Sequence, residues 1–132
     1  MQQDIKQLLE LSSRIIAPFL TVLIAYLSLT TMEGIPIEMD NKDKFLHGLA
    51  YFTLAFFWLF AVKKSQFSIL ARGIVVFLVI SYGILIEYAQ GTFTDYRMFD
   101  LMDVVANTIG TVLAIVFFTV ILSVFKGGFN SK

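Results

Sequence analysis

Cysteine is absent from all 132 residues. That removes disulfides, thiolate metal ligands and cysteine nucleophiles together. Histidine and tryptophan occur once each and proline twice, so any imidazole chemistry rests on His47 alone. Charge is also scarce. Asp, Glu, Lys and Arg make up 15% of the chain, against about 25% in soluble domains. A chain this short is mostly surface once folded, and too few polar side chains are present to wet that surface. A water-soluble globular enzyme is excluded on that ground, and a disordered chain by the 58% hydrophobic content. Ten basic residues balance ten acidic ones. No basic stripe follows a phosphate backbone, so nucleic acid is not a partner. The chain also lacks G-x-S-x-G, H-E-x-x-H and a phosphate-binding glycine loop. No internal repeat or linker divides it.

What is present is apolar length. Mean hydropathy is +0.80. Four stretches approach the roughly 20 residues needed to cross a bilayer: 15–32, 45–62, 73–90 and 104–125. They run continuously instead of alternating, which predicts helices and not barrel strands. The expected fold is all-α, an integral membrane bundle of four transmembrane helices with both termini cytoplasmic. Residues 1–14 read as an amino-terminal arm, with Ile5, Leu8 and Leu9 on one side as in a short interfacial helix. Residues 15–125 form the membrane domain and 126–132 a polar tail. The first stretch reads as a retained helix, because it is long for a signal peptide and no small-x-small site follows it. Pro18 is expected near the start of that helix, where a missing N–H costs least.

Loop charges set the orientation. Lys6, Arg14, Lys63, Lys64, Arg72, Lys126 and Lys132 fall on one side, and only Lys42, Lys44 and Arg97 on the other. The positive-inside rule places the first group in the cytoplasm. Most acids, including Glu33, Glu38, Asp40 and Asp95, then lie toward the outer face.

The remaining polar residues recur at helical spacings. Asp43, His47 and Tyr51 are each four apart where the second helix starts, and so share a face. Glu87 and Gln90 end the third helix. Arg97 sits in the loop that follows. Asp100, Asp103 and Asn107 line one face of the fourth helix's start, and Gly110 continues that face as a small residue for helix contact. In a four-span topology all of these converge at the outer end of the bundle. Buried ionisable groups in a membrane normally face a cavity or a partner. Taken singly, Asp43, Asp100 and Asp103 also read as helix caps, and Tyr51, Trp58 and Gly83 as packing residues. Glu87 and Arg97 are expected to form an ion pair. A metal held by Asp43, His47, Glu87 and Asp103 is chemically possible, but one histidine among acids is thin ground. No metal site or cofactor is assigned.

At these residues the sequence resembles the VanZ-like family of bacterial membrane proteins. The matching text is DKFLHGLAYFTLA at 43–55, IEYAQ at 86–90 and YRMFDLMDVVANTIGT at 96–111. The family commonly has Pro-Gly before the arginine, where Asp95-Tyr96 stands here. The resemblance covers roughly residues 40–115. It implies a small bundle in the bacterial cytoplasmic membrane, and its founding member is associated with resistance to the glycopeptide teicoplanin. It implies no catalytic role for any residue. Three expectations follow. The polar end binds an extracytoplasmic head group, of a lipid-linked envelope intermediate or a lipopeptide, with Arg97 as the anion fork. Alternatively the chain is an accessory subunit of a larger envelope complex. Or it is a membrane enzyme using His47 and a carboxylate as acid and base. Expected partners are membrane lipid, that lipid-linked substrate or lipopeptide, and other membrane proteins or further copies of the chain.

Overall fold

The computed structural model describes residues 1–30, 41–95 and 97–127. Four helices account for most of them: α1 (Gln2–Leu29), α2 (Asn41–Ala61), α3 (Ile69–Phe93) and α4 (Leu101–Gly127). A 3-10 turn at Lys63–Gln66 joins α2 to α3. No strand occurs among the described residues. All four helices are long and apolar enough to cross a membrane. The chain is an all-α, multi-pass membrane protein, as its apolar runs predict. Glu33, Glu38 and Asp40 of the first loop, Tyr96, and the tail from 128 lie outside the described residues.

The helices extend beyond the apolar runs that nucleate them. A helix satisfies its backbone internally whatever its side chains are, so flanking polar residues join it. Residues 2–14 are the first turns of α1, in one unbroken helix of 28 residues. At 1.5 Å per residue it spans about 42 Å, more than the roughly 30 Å hydrocarbon core. Pro18 consequently stands inside α1, not near its start as expected, and removes one interior hydrogen bond. The start of α3 is capped by Ser68, whose Oγ accepts from the Ala71 N–H at 3.3 Å. Arg72 ties down the preceding turn. Its Nε donates to the Ser65 carbonyl at 2.6 Å, and its guanidinium lies 5.7 Å from the Phe118 ring centre.

The central helix is α2, which packs most extensively on α4 and also meets α1 and α3. Its Tyr51, Leu54, Ala55, Leu59 and Phe60 are buried against Val75 and Val79 of α3 and Ala114, Phe118 and Leu122 of α4. On α4 the buried positions recur at 103, 107, 110–111, 114, 118 and 122, the three-and-four spacing of one helix face. That stripe changes chemistry along its length. It is polar at the Asp103 end and apolar toward Leu122. Side chains such as Phe19, Val22, Phe77, Leu78, Leu113 and Val116 point outward. In water they would be an aggregation hazard; here they are the surface that meets lipid.

One contact sets the spacing of α2 and α4. Gly110 faces Gly48, and a Cβ at position 110 would run into the Gly48 carbonyl oxygen. The two backbones meet because position 110 carries only hydrogen.

Candidate functional site

Four segments meet at one end of the bundle: the end of α1, the start of α2, the end of α3 with the non-helical residues after it, and the start of α4. Each contributes polar groups. Asp43 lies in the first turn of α2. Arg97 reaches it from the α3–α4 connection, its Nη2 donating to Oδ2 at 2.9 Å and Oδ1 at 3.1 Å. Lys44, the next residue on α2, donates through Nζ to Asp100 Oδ2 at 2.8 Å and Asp103 Oδ1 at 3.2 Å. The other oxygen of Asp100 accepts the Met102 N–H at 2.8 Å, an N-cap for α4. The Lys44 hydrogen bond, with the Met102 N–H adding to it, holds the Asp100 carboxyl below the usual carboxylate range.

A second layer lies deeper. His47 Nδ1 is 3.2 Å from Asn107 Oδ1 and 3.5 Å from Glu87 Oε1. Glu87 is only 1% exposed, and its Oε1 makes no hydrogen bond. The proximity to His47 is thus electrostatic and not a formed bond. The opposite nitrogen, Nε2, is 3.7 Å from Asp103 Oδ2 and 3.9 Å from Asp43 Oδ1. Asp43, His47 and Asp103 each offer a ligand atom within 4.8 Å of the other two. Asn107 Nδ2 and Tyr51 Oη, like Glu87 Oε1, are buried without a hydrogen-bond partner.

The structure gathers Asp43, His47, Arg97, Asp100, Asp103 and Asn107 into one network, with Glu87 against it. Gln90 and Tyr51 stand outside that hydrogen-bonded network. Gln90 turns toward α1, its Nε2 donating to the Ser28 carbonyl at 2.9 Å. Tyr51 is packed, its ring 6.2 Å from that of Tyr82 and its edge where a Cβ on Gly83 would sit. The close ion pair of Arg97 is with Asp43, and its charge reaches Glu87 only from beyond contact distance. Arg97 and Asp43 both lie at the partly exposed rim, 22% and 16% accessible, whereas Glu87 is a layer below. The guanidinium therefore meets the nearer acid. Asp100 does cap α4, but it also takes the ammonium of Lys44, so the capping and cluster readings both hold for it. Lys44 itself was absent from the expected set. The available signal was its position three residues before His47, which puts both on neighbouring faces of α2.

A cleft of about 180 Å³ opens between α1 and α2 at this end. Leu27 and Leu46 line it together with Asp43, His47, Tyr51 and Arg97. Two larger clefts, of about 460 and 250 Å³, have almost wholly apolar walls; the first lies between α2 and α4 over Gly48 and Gly110, and the second beside Trp58 and Tyr82.

No solved structure matches the chain. An uncharacterized protein of Schizosaccharomyces pombe is 35% identical over 109 residues, an alignment covering 77% of this chain. The chain spans 60% of that relative's length. The family model described as VanZ/LLP1 matches residues 2–123. That span reaches into all four helices and contains the whole polar cluster, and the chain accordingly belongs to the VanZ/LLP1 family.

Proposed function

We propose that this is a cell-envelope membrane protein whose polar end, on the extracytoplasmic face, binds the head group of a membrane amphiphile. The observation that carries the reading is the composition of the cleft between α1 and α2. Leu27 and Leu46 supply apolar lining, and Asp43, His47 and Arg97 polar lining, which suits a molecule with an acyl chain and a charged head. Among the described residues Arg97 uses only Nη2, on Asp43. The remaining edge of its fork is left for a phosphate or carboxylate. The seven-to-three distribution of basic residues supports the outward orientation. A relative in Schizosaccharomyces pombe favours a head group found in bacterial and eukaryotic membranes alike, a phosphate before a cell-wall peptide. A link to glycopeptide sensitivity follows only where that phosphate belongs to a lipid-linked envelope intermediate in a bacterial cytoplasmic membrane.

The test is lipid retention. Wild type, Leu27→Trp and Arg97→Lys are purified in mild detergent, and co-purifying phospholipid is quantified by mass spectrometry. The wild type should retain phospholipid and both variants should lose it while melting normally. Equal retention in all three proteins refutes the reading. A second reading, a structural or accessory subunit, draws on the ion pairs themselves. Arg97–Asp43 and Lys44–Asp100 tie α2 to the α3–α4 connection, and on that reading Arg97→Lys retains lipid as the wild type does. An acid–base enzyme working through His47 and Glu87 or Asp103 draws on the 3.5 and 3.7 Å approaches of those carboxylates to the imidazole.

A further inference from the structure

We propose that Asp43, His47 and Asp103 hold a divalent transition-metal ion of the Zn2+ or Mn2+ kind at the polar end of the bundle. Asn107 Oδ1 stands 3.2 Å from His47 Nδ1, a hydrogen bond when the imidazole carries its N–H on that nitrogen. The lone pair of Nε2 then points at Asp103 Oδ2 and Asp43 Oδ1, 3.7 and 3.9 Å away. Those gaps are too wide for hydrogen bonds. Nε2 and one oxygen of each carboxylate thus face one another in a largely buried site, three donor atoms within 4.8 Å that a single cation could share.

The spacing suits a metal. Ligands bound at about 2.0–2.2 Å sit roughly 3–4 Å from one another, and one imidazole with two carboxylates is a donor set for Zn2+, Mn2+ or Fe2+ more than for Mg2+ or Ca2+. The surroundings supply what such ligands need. Asn107 fixes the imidazole through its far nitrogen. Lys44 holds the other oxygen of Asp103, and Arg97 holds Asp43. Glu87, 1% exposed with Oε1 unpartnered, closes the site on the far side of the imidazole. Among the described residues, the carboxylates of Asp43, Asp100 and Asp103 meet the side chains of Lys44 and Arg97, an excess of acid that a cation would offset. The cleft between α1 and α2 reaches Asp43 and His47, giving an ion a way in. Metal binding at these three residues requires no amphiphile in that cleft.

The test uses the full chain in detergent, stripped with a chelator and dialysed. Zn2+ is titrated in competition with a chromophoric chelator, and Mn2+ binding is followed by electron paramagnetic resonance. The expected result is saturable binding in the wild type, weakened at least about tenfold in His47→Gln and Asp103→Asn. Glu10→Gln, an acid removed at the opposite end, should bind as the wild type does. Should either site variant lose its helical circular dichroism, the wild type still decides the question, because Mn2+ bound to it must show nitrogen hyperfine coupling from one imidazole. No saturable binding, no nitrogen coupling, or unchanged affinity in both folded variants overturns the proposal. Asp103 does not line the cleft. Loss of metal with retained phospholipid in Asp103→Asn therefore separates this site from the head-group reading.

Discussion

A methyl group added at position 110 would occupy the place of the Gly48 carbonyl oxygen, with Gly48 C and Cα at 2.9 and 3.1 Å from it. These are backbone atoms that no rotamer change can move, so in Gly110→Ala the two helices must part. A gap of 0.5–1 Å forfeits a quarter to a half of the dispersion energy of each atom pair across it, and α2–α4 is the most extensive contact in the protein. Overpacking costs about 1–3 kcal/mol or more, and a backbone obstacle belongs at the upper end. Alanine returns about 1 kcal/mol of helix propensity, leaving a net loss of about 2 kcal/mol or more. Gly48→Ala on the facing helix is the control. Its Cβ would meet only the Ala106 carbonyl, at 3.4 Å, so the propensity gain dominates and the variant should be neutral or up to about 1 kcal/mol more stable. Thermal melting in detergent distinguishes the pair. The site should register the change too, because the 3.2 Å contact between His47 and Asn107 spans the same two helices one turn away and would lengthen. If Gly110→Ala melts at or above the temperature of Gly48→Ala, the close crossing of α2 and α4 is refuted.

Removing the guanidinium in Arg97→Ala strands the Asp43 carboxylate. Because the pair is 22% and 16% exposed, the cost should be about 1–3 kcal/mol, below the 3–5 of a fully buried pair; an alanine variant melting with the wild type would refute a structural part for the pair. Glu87→Gln keeps the shape of the side chain and removes a carboxylate whose Oε1 has no hydrogen bond, so its melting should stay within about 1 kcal/mol of wild type or rise. A marked fall would instead mean that a negative charge is needed beside His47. Asp100 binds its proton less readily when folded, so its contribution is complete above its ordinary value of about 3.9 and is lost as pH falls through the lowered one. Acid melting should therefore steepen below about pH 4 in the wild type and be flatter in Asp100→Asn; identical acid limbs would contradict the assignment. Reporter fusions at residue 132 and within 63–72 should both report cytoplasm, since seven of the ten basic residues lie on that side. An external signal from either overturns the outward placement of the polar end.

The composition and order of the residues determined the class of the molecule, its four membrane-length helices and which polar residues share a helix face near its polar end. Each of these is a local property. Apolar length decides what can cross lipid, and the three-and-four arithmetic of a helix decides which residues share a face, as it does for Asp43 with His47 and for Asp103 with Asn107. The family resemblance at 43–55, 86–90 and 96–111 was legible for the same reason. Partner choice was not. Which acid Arg97 meets depends on how α2, α3 and the α3–α4 connection are placed against one another, and the structure leaves Asp43 partly exposed and Glu87 buried. Lys44 joins the network because α2 lies close enough to α4 for its ammonium to reach Asp100 and Asp103, and the contact of Gly110 with Gly48 permits that spacing. Only the tertiary structure turns His47 Nε2 toward two carboxylates. The separations there are a few ångströms between side chains on two helices, fixed by packing, and no periodicity along the chain encodes them.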